Sequence, residues 1–136
     1  MSDEYVLYTK TKNAHWNVEG TDFIEKHHFF ESQSNQLDMI IDRVAERIRA
    51  IGHYANASLK SFLELTHLSE LQLDNTSSQS FLKELLSDHD TIIIQLRENI
   101  HLFGKDNNDF GTTDFMTSIM EKHEKMAWII RSNFKA

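Results

Sequence analysis

"HYANASLKSFLELTHLSELQLDNT", residues 53–76, lies between two long helical patterns and holds no long helix of its own. Neighbouring helices of a bundle are usually joined by about two to eight residues, so a segment this long reads as a crossover. Within it "SLKSFLELTHL" is apolar at Leu59, Phe62, Leu63 and Leu65. That spacing predicts one short helix inside the connection.

The flanking segments read as helices near 3–16, 22–51, 77–103 and 113–134. No proline interrupts them, and the four glycines (Gly20, Gly52, Gly104 and Gly111) fall near the expected ends. Asp22 with Glu25, and Thr76 with Gln79, have the spacing of capping boxes. Leu82, Leu85, Leu86, Ile93, Leu96, Ile100 and Phe103 recur at helical spacing, as do Phe115, Ile119, Met126, Ile130 and Phe134. Four amphipathic helices with one long connection between the second and third predict an all-α fold. The expected topology is a ferritin-like four-helix bundle with a short helix in the crossover.

The 136 residues suit one domain, 1–136, with no repeat or linker. The second helix would be roughly 45 Å long and the first about half that. Either a partner covers the apolar surface this mismatch leaves, or the chain lacks the front of its first helix; the abrupt start "MSDEYVLYTK" favours the second expectation. A net charge of −7 argues against a sequence-independent grip on nucleic acid. The chain has no cysteine, so thiolate sites and disulfides are excluded. No apolar run reaches the roughly 18 to 20 residues of a membrane span and no signal pattern opens the chain, so a cytoplasmic setting is expected.

Candidate metal ligands cluster at two places. His27 and Glu31 are one helical turn apart, as are Asp42 and Glu46. His15 lies at the end of the first helix and can reach the His27 end across a short turn. His27 and Asp42 are separated by roughly 22 Å along one helix, too far for a shared ion. Either there are two half-sites, or a second copy lies antiparallel and brings its Asp42 and Glu46 to the first copy's His27 and Glu31. Imidazole with carboxylate suits iron and related divalent metals. Spacing alone fits a solvated helix face better than a metal site, with Trp16 in a core.

The run "TKNAHWNVEGTDFIEKHHFFE", followed by "DRVAERI", resembles the signature of the Dps family, the mini-ferritins called DNA-binding proteins from starved cells. The matched positions are His15, Trp16, Gly20, Phe23, His27, Glu31, Asp42, Ala45, Glu46 and Arg47. "SDHDTIIIQLRE" and "GTTDFMTSIMEKHEKMAW" are also similar to the family, so the likeness covers nearly the whole chain. The resemblance implies a di-iron ferroxidase centre at a twofold interface. His15, His27 and Glu31 would come from one subunit, Asp42 and Glu46 from its partner, with Trp16 beside the site. It further implies a homo-oligomer, a dodecameric shell built from twofold dimers. The shell would oxidise Fe(II) to Fe(III), preferentially with hydrogen peroxide, and store ferric oxyhydroxide.

Family members that bind DNA often use basic tails. The ends of this chain offer only Lys10, Lys12, Arg131 and Lys135, so DNA binding is not carried over. Asp109 and Asp114 flank the turn into the fourth helix, which in the family lines acidic threefold pores; their plain role is helix capping. Glu25 with His28, and Glu64 with His67, form Glu-x-x-His by coincidence, on the wrong face and in the crossover respectively. His53, His89, His101 and His123 read as structural or solvated. Two function classes follow: an iron-oxidising storage protein, or a nucleoid-associated DNA-protecting protein with secondary iron chemistry.

Overall fold

The computed structural model describes residues 1–70 and 74–134. Its helices are α1 (Ser2–Asn17), α2 (Phe23–Ala50), α3 (Leu59–Leu65), α4 (Ser78–Asp106) and α5 (Phe110–Arg131). The four long helices and the short crossover helix α3 match the sequence expectation. Lys135 and residues 71–73 of the crossover lie outside the described residues. No helix among the described residues is long and apolar enough to cross a membrane.

The chain divides into two compact units, Met1–Leu85 and Leu86–Ala136. In the first, α1 packs on both α2 and α3. Its buried apolar residues include Leu7, Ala14, Phe30, Leu37, Phe62, Phe81 and Leu82. Tyr5 stacks on Phe62, with centroids 4.3 Å apart, and Phe30 meets Phe81 edge-on. Buried Lys10 is held by Glu84 at 2.7 Å and donates to the Ser69 carbonyl at 3.0 Å. An amine taken out of water needs such partners.

Asp3, in the first turn of α1, fastens the end of α3. Thr66 Oγ1 and the His67 amide donate to its Oδ1 at 2.7 and 2.6 Å, and His67 Nδ1 lies 2.9 Å from Oδ2. Burial alone would raise the Asp3 pKa, but these hydrogen bonds and the His67 charge outweigh it and hold the carboxyl below its ordinary value. His67, which formed Glu-x-x-His with Glu64 by coincidence of spacing, belongs instead to this clasp.

Both expected capping boxes are replaced. Asp22 precedes α2 but makes no cap hydrogen bond; its Oδ2 accepts the Ser78 hydroxyl at 2.6 Å. The Thr76 hydroxyl donates to Glu19 Oε2 at 2.6 Å, and Ser77 Oγ accepts from the Ser80 amide at 3.3 Å. The Glu19 amide also donates to the Thr76 carbonyl at 3.0 Å. The α1–α2 turn is therefore tied to the start of α4, and the capping groups serve that tie. A complete capping box does form at the start of α3, between Ser58 and Ser61.

In the second unit, Ile92, Ile93, Ile119, Met126, Ala127 and Ile130 are buried, whereas Leu96, Ile100, Phe103 and Phe115 are only partly covered. Arg97–Glu124 and Arg131–Asp90 tie the two helices at 3.1 and 3.2 Å. Gly104 does not end α4; it lies inside the last turn, where an added Cβ would meet Thr113 at 3.7 Å. Asn108 takes the left-handed backbone instead, at φ 50. Asp109 Oδ1 accepts from the Thr112 amide at 3.0 Å, so α5 starts at Phe110, ahead of the expected residue 113.

Candidate metal centre

The candidate centre is organised by the turn between α1 and α2. His15 is in the last turn of α1, and His27 lies one turn into α2. Gly20 has φ +129, which a side-chain-bearing residue rarely adopts, so the chain can reverse within residues 18–22. The reversal stacks the two imidazoles, with centroids 4.0 Å apart and planes at 25°.

Each ring is anchored by the other's backbone. His15 Nδ1 lies 2.9 Å from the His27 carbonyl oxygen, and His27 Nδ1 lies 2.8 Å from that of His15. A carbonyl can only accept, so each Nδ1 must be the donor. In their neutral forms both rings then carry the free lone pair on Nε2, the atom available to a metal. The hydrogen bond on the far nitrogen sets the tautomer and the ring direction, as metal-binding histidines require. His15 is buried, His27 is half-buried, and the Phe23 ring lies 5.2 Å from His27.

Glu31 follows one turn along α2 and is exposed, with Oε2 3.6 Å from His28 Nδ1. His28, part of the Glu25-x-x-His28 coincidence, thus has its contact on the other side, with Glu31, while Glu25 pairs with Lys26 at 2.8 Å. Nothing in the spacing rule favours Glu31 over Glu25 as the partner of His28. Asp42 and Glu46 are exposed on the far half of α2. Fifteen positions of helix, roughly 22 Å, separate Asp42 from His27. Among the described residues of one chain, no three His, Cys, Asp or Glu come together as a metal-holding group.

Trp16, next to His15, is 68% exposed and borders a shallow concavity with Val18, Glu19, Gly20, Phe23 and Thr76. Asp109 is the α5 cap, and Asp114 is exposed one turn on. His53 and His101 are exposed. His89 and His123 are both buried, with their Nδ1 atoms 2.9 Å apart. Burial, then the charge of His123, holds His89 well below the ordinary histidine range. The two residues sit 34 positions apart, and neither lies in a spacing pattern that would disclose the pair.

Comparison with known proteins agrees with this architecture. The ferritin-like domain family matches residues 1–135. An uncharacterized low temperature-induced protein of Nostoc sp. is 39% identical over 132 residues, covering 97% of this chain and 74% of that protein. DNA protection during starvation protein 2 of Bacillus anthracis is 30% identical, with 97% and 89% covered. Among solved structures, Dps from Staphylococcus aureus has a TM-score of 0.92 at 29% identity, covering 99% of this chain and 89% of that one. Dps from Vibrio cholerae has a TM-score of 0.92 at 28% identity, with 98% and 83% covered. That protein is described as a member of a broad superfamily of ferritin-like diiron-carboxylate proteins. The fold is thus ferritin-like. More narrowly, the chain belongs to the Dps family.

Proposed function

We propose that this protein is an iron-storing mini-ferritin with ferroxidase activity, its catalytic centres shared between twofold-related subunits. The observation that carries the reading is the His15–His27 pair, with both Nδ1 atoms committed to backbone carbonyls and both Nε2 atoms left for metal. The donor set suits Fe(II) as substrate: two imidazoles hold the softer ferrous ion, and Glu31, Asp42 and Glu46 favour the harder ferric product. His15, His27 and Glu31 would come from one subunit, Asp42 and Glu46 from the other. Two ferrous ions each give one electron to hydrogen peroxide; the O–O bond breaks and, with two protons, two waters form. Paired oxidation avoids the single-electron step that releases hydroxyl radical. The ferric product would be stored as oxyhydroxide inside a dodecameric shell, with Asp109 and Asp114 near the route of entry.

Stopped-flow absorbance after mixing Fe(II) with either peroxide or dissolved oxygen tests this. Ferric formation should be fast with peroxide and slower with oxygen. A protein that accelerates neither over buffer would sink the ferroxidase reading, and equal or faster oxidation by oxygen would sink the peroxide preference. The name of the Bacillus anthracis relative favours a DNA-protecting reading, but the charge of −7 opposes it. That reading would gain from a metal-free duplex complex that survives about 150 mM salt, where phosphate contacts by a few basic residues are weakened.

A further inference from the structure

The same helix that carries four of the five candidate ligands also carries a stripe of exposed charge. His28, Glu31, Asn35, Asp38, Asp42, Glu46 and Arg49 are all exposed and follow one another at three- and four-residue steps along α2. The stripe holds four carboxylates, Glu31, Asp38, Asp42 and Glu46, whereas the exposed cations of this half of α2 are two, Arg43 and Arg49.

The shared-site reading fixes how two such stripes would meet. His27 must lie level with the partner's Glu46, and Glu31 with the partner's Asp42. Both pairings centre on one point, between Gln36 and Leu37, as an antiparallel twofold contact requires. The same register sets Asp38 level with the partner's Asn35 and Arg49 level with the partner's Ile24. Arg49 is therefore not opposite a ligand carboxylate. Two acidic stripes would face each other about the dyad, and like charges brought together in a partly dry contact repel.

We infer that assembly across the α2 face is coupled to divalent cation, so that metal binding and subunit pairing strengthen each other. This inference rests on the shared ferroxidase reading and goes beyond it. A cation held by His15, His27 and Glu31 of one copy and by the partner's Asp42 and Glu46 bonds only to the paired state. It also neutralises the carboxylates that oppose pairing. Linkage then requires that metal tighten the dimer by the factor by which dimerisation tightens metal. Asp38 takes no part in metal binding, so it contributes repulsion alone.

Sedimentation velocity of the full chain, stripped with chelator and compared with and without Zn(II) as a redox-inert probe, tests the coupling. Zn(II) should lower the dissociation constant across this contact by about tenfold or more, the order expected for two sites well above half-saturation. Asp38→Asn should pair more tightly than wild type without metal and still respond to Zn(II). Glu46→Gln should pair without metal at least as well as wild type but lose most of the Zn(II) response. Both positions are exposed, so neither change disturbs packing within the chain. An identical dissociation constant with and without Zn(II) would overturn the inference. So would an equal Zn(II) response in wild type and Glu46→Gln, which would mark plain counterion screening. Fe(II) oxidation measured on the same samples separates the two readings. Metal-independent pairing with rapid oxidation removes the coupling and the sharing of the centre but leaves ferroxidase activity; metal-tightened pairing without oxidation keeps the coupling and removes the ferroxidase.

Discussion

The proposed metal-binding role of His15 and His27 sits beside a structural one, and substitutions can separate the two. Each ring leaves Nε2 uncommitted and simultaneously joins α1 to α2 through a backbone carbonyl. Removing the His27 ring deletes one such bond and leaves the His15 carbonyl without its donor. His27→Ala should therefore lower both Fe(II) oxidation and the stability of metal-free protein, the latter by about 1 kcal/mol. Glu46, exposed on the far half of α2, makes no such tie. Glu46→Gln should lower oxidation comparably while urea unfolding of the metal-free chain stays within about 0.5 kcal/mol of wild type. Equal unfolding midpoints for His27→Ala and wild type would remove the latch role. Of this candidate site, sequence alone offered the residues and the turn spacing. It could not disclose the reciprocal bonds, because they depend on the path taken through Gly20 and not on any side-chain partner.

Between α4 and α5, the buried His89–His123 contact carries an acid sensitivity of its own. At 2.9 Å between two Nδ1 atoms, one nitrogen must donate and the other accept, so protonating both would set donor against donor. Burial lowers the folded-state pKa of His89, whereas the unfolded chain takes up a proton near the ordinary value of 6.5. Below that pH the unfolded state binds more protons, so the contribution to stability is present above about pH 6.5 and declines as the pH falls. Thermal unfolding from pH 7 to 5 should show a steeper loss for wild type than for His89→Asn. If that variant does not fold, proton NMR of the wild-type ring gives the same information: the His89 resonance should stay in its neutral position through pH 6. A normal titration midpoint would refute the claim. The helices themselves were legible from periodicity and the absence of proline, and their observed ends lie within three residues of the expected ones. The ends shifted where a competing group took over: Asp109 began α5 early, and Asn108 made the left-handed turn expected of a glycine.

For the whole molecule, the fifteen-residue gap along α2 has a quantitative consequence. If the centre is shared as proposed, His27→Ala and Glu46→Ala should each damage both centres of their own homodimer. In a mixed dimer the two lesions fall together in one centre, and the other regains intact His27 and Glu46. Unfolding the variants together in equal amounts and refolding them should make about half of the dimers mixed, by random pairing across an isologous contact. Roughly a quarter of the centres would then be whole, and Fe(II) oxidation should recover to about that fraction of wild type. A mixture no more active than its parents, with exchange confirmed by mass spectrometry, would show that the centre is not shared.

The paired imidazoles also bear on how the protein can change over evolutionary time. Their acceptors are main-chain oxygens, which every amino acid supplies. No point mutation at another position can delete those acceptors while the two helix ends keep their course. Where a carboxylate side chain orients a ligand histidine, its codon becomes a second position at which activity can be lost. Here the mutational target for ring orientation reduces to the two histidines and the turn at Gly20, leaving neighbouring surface positions open to drift.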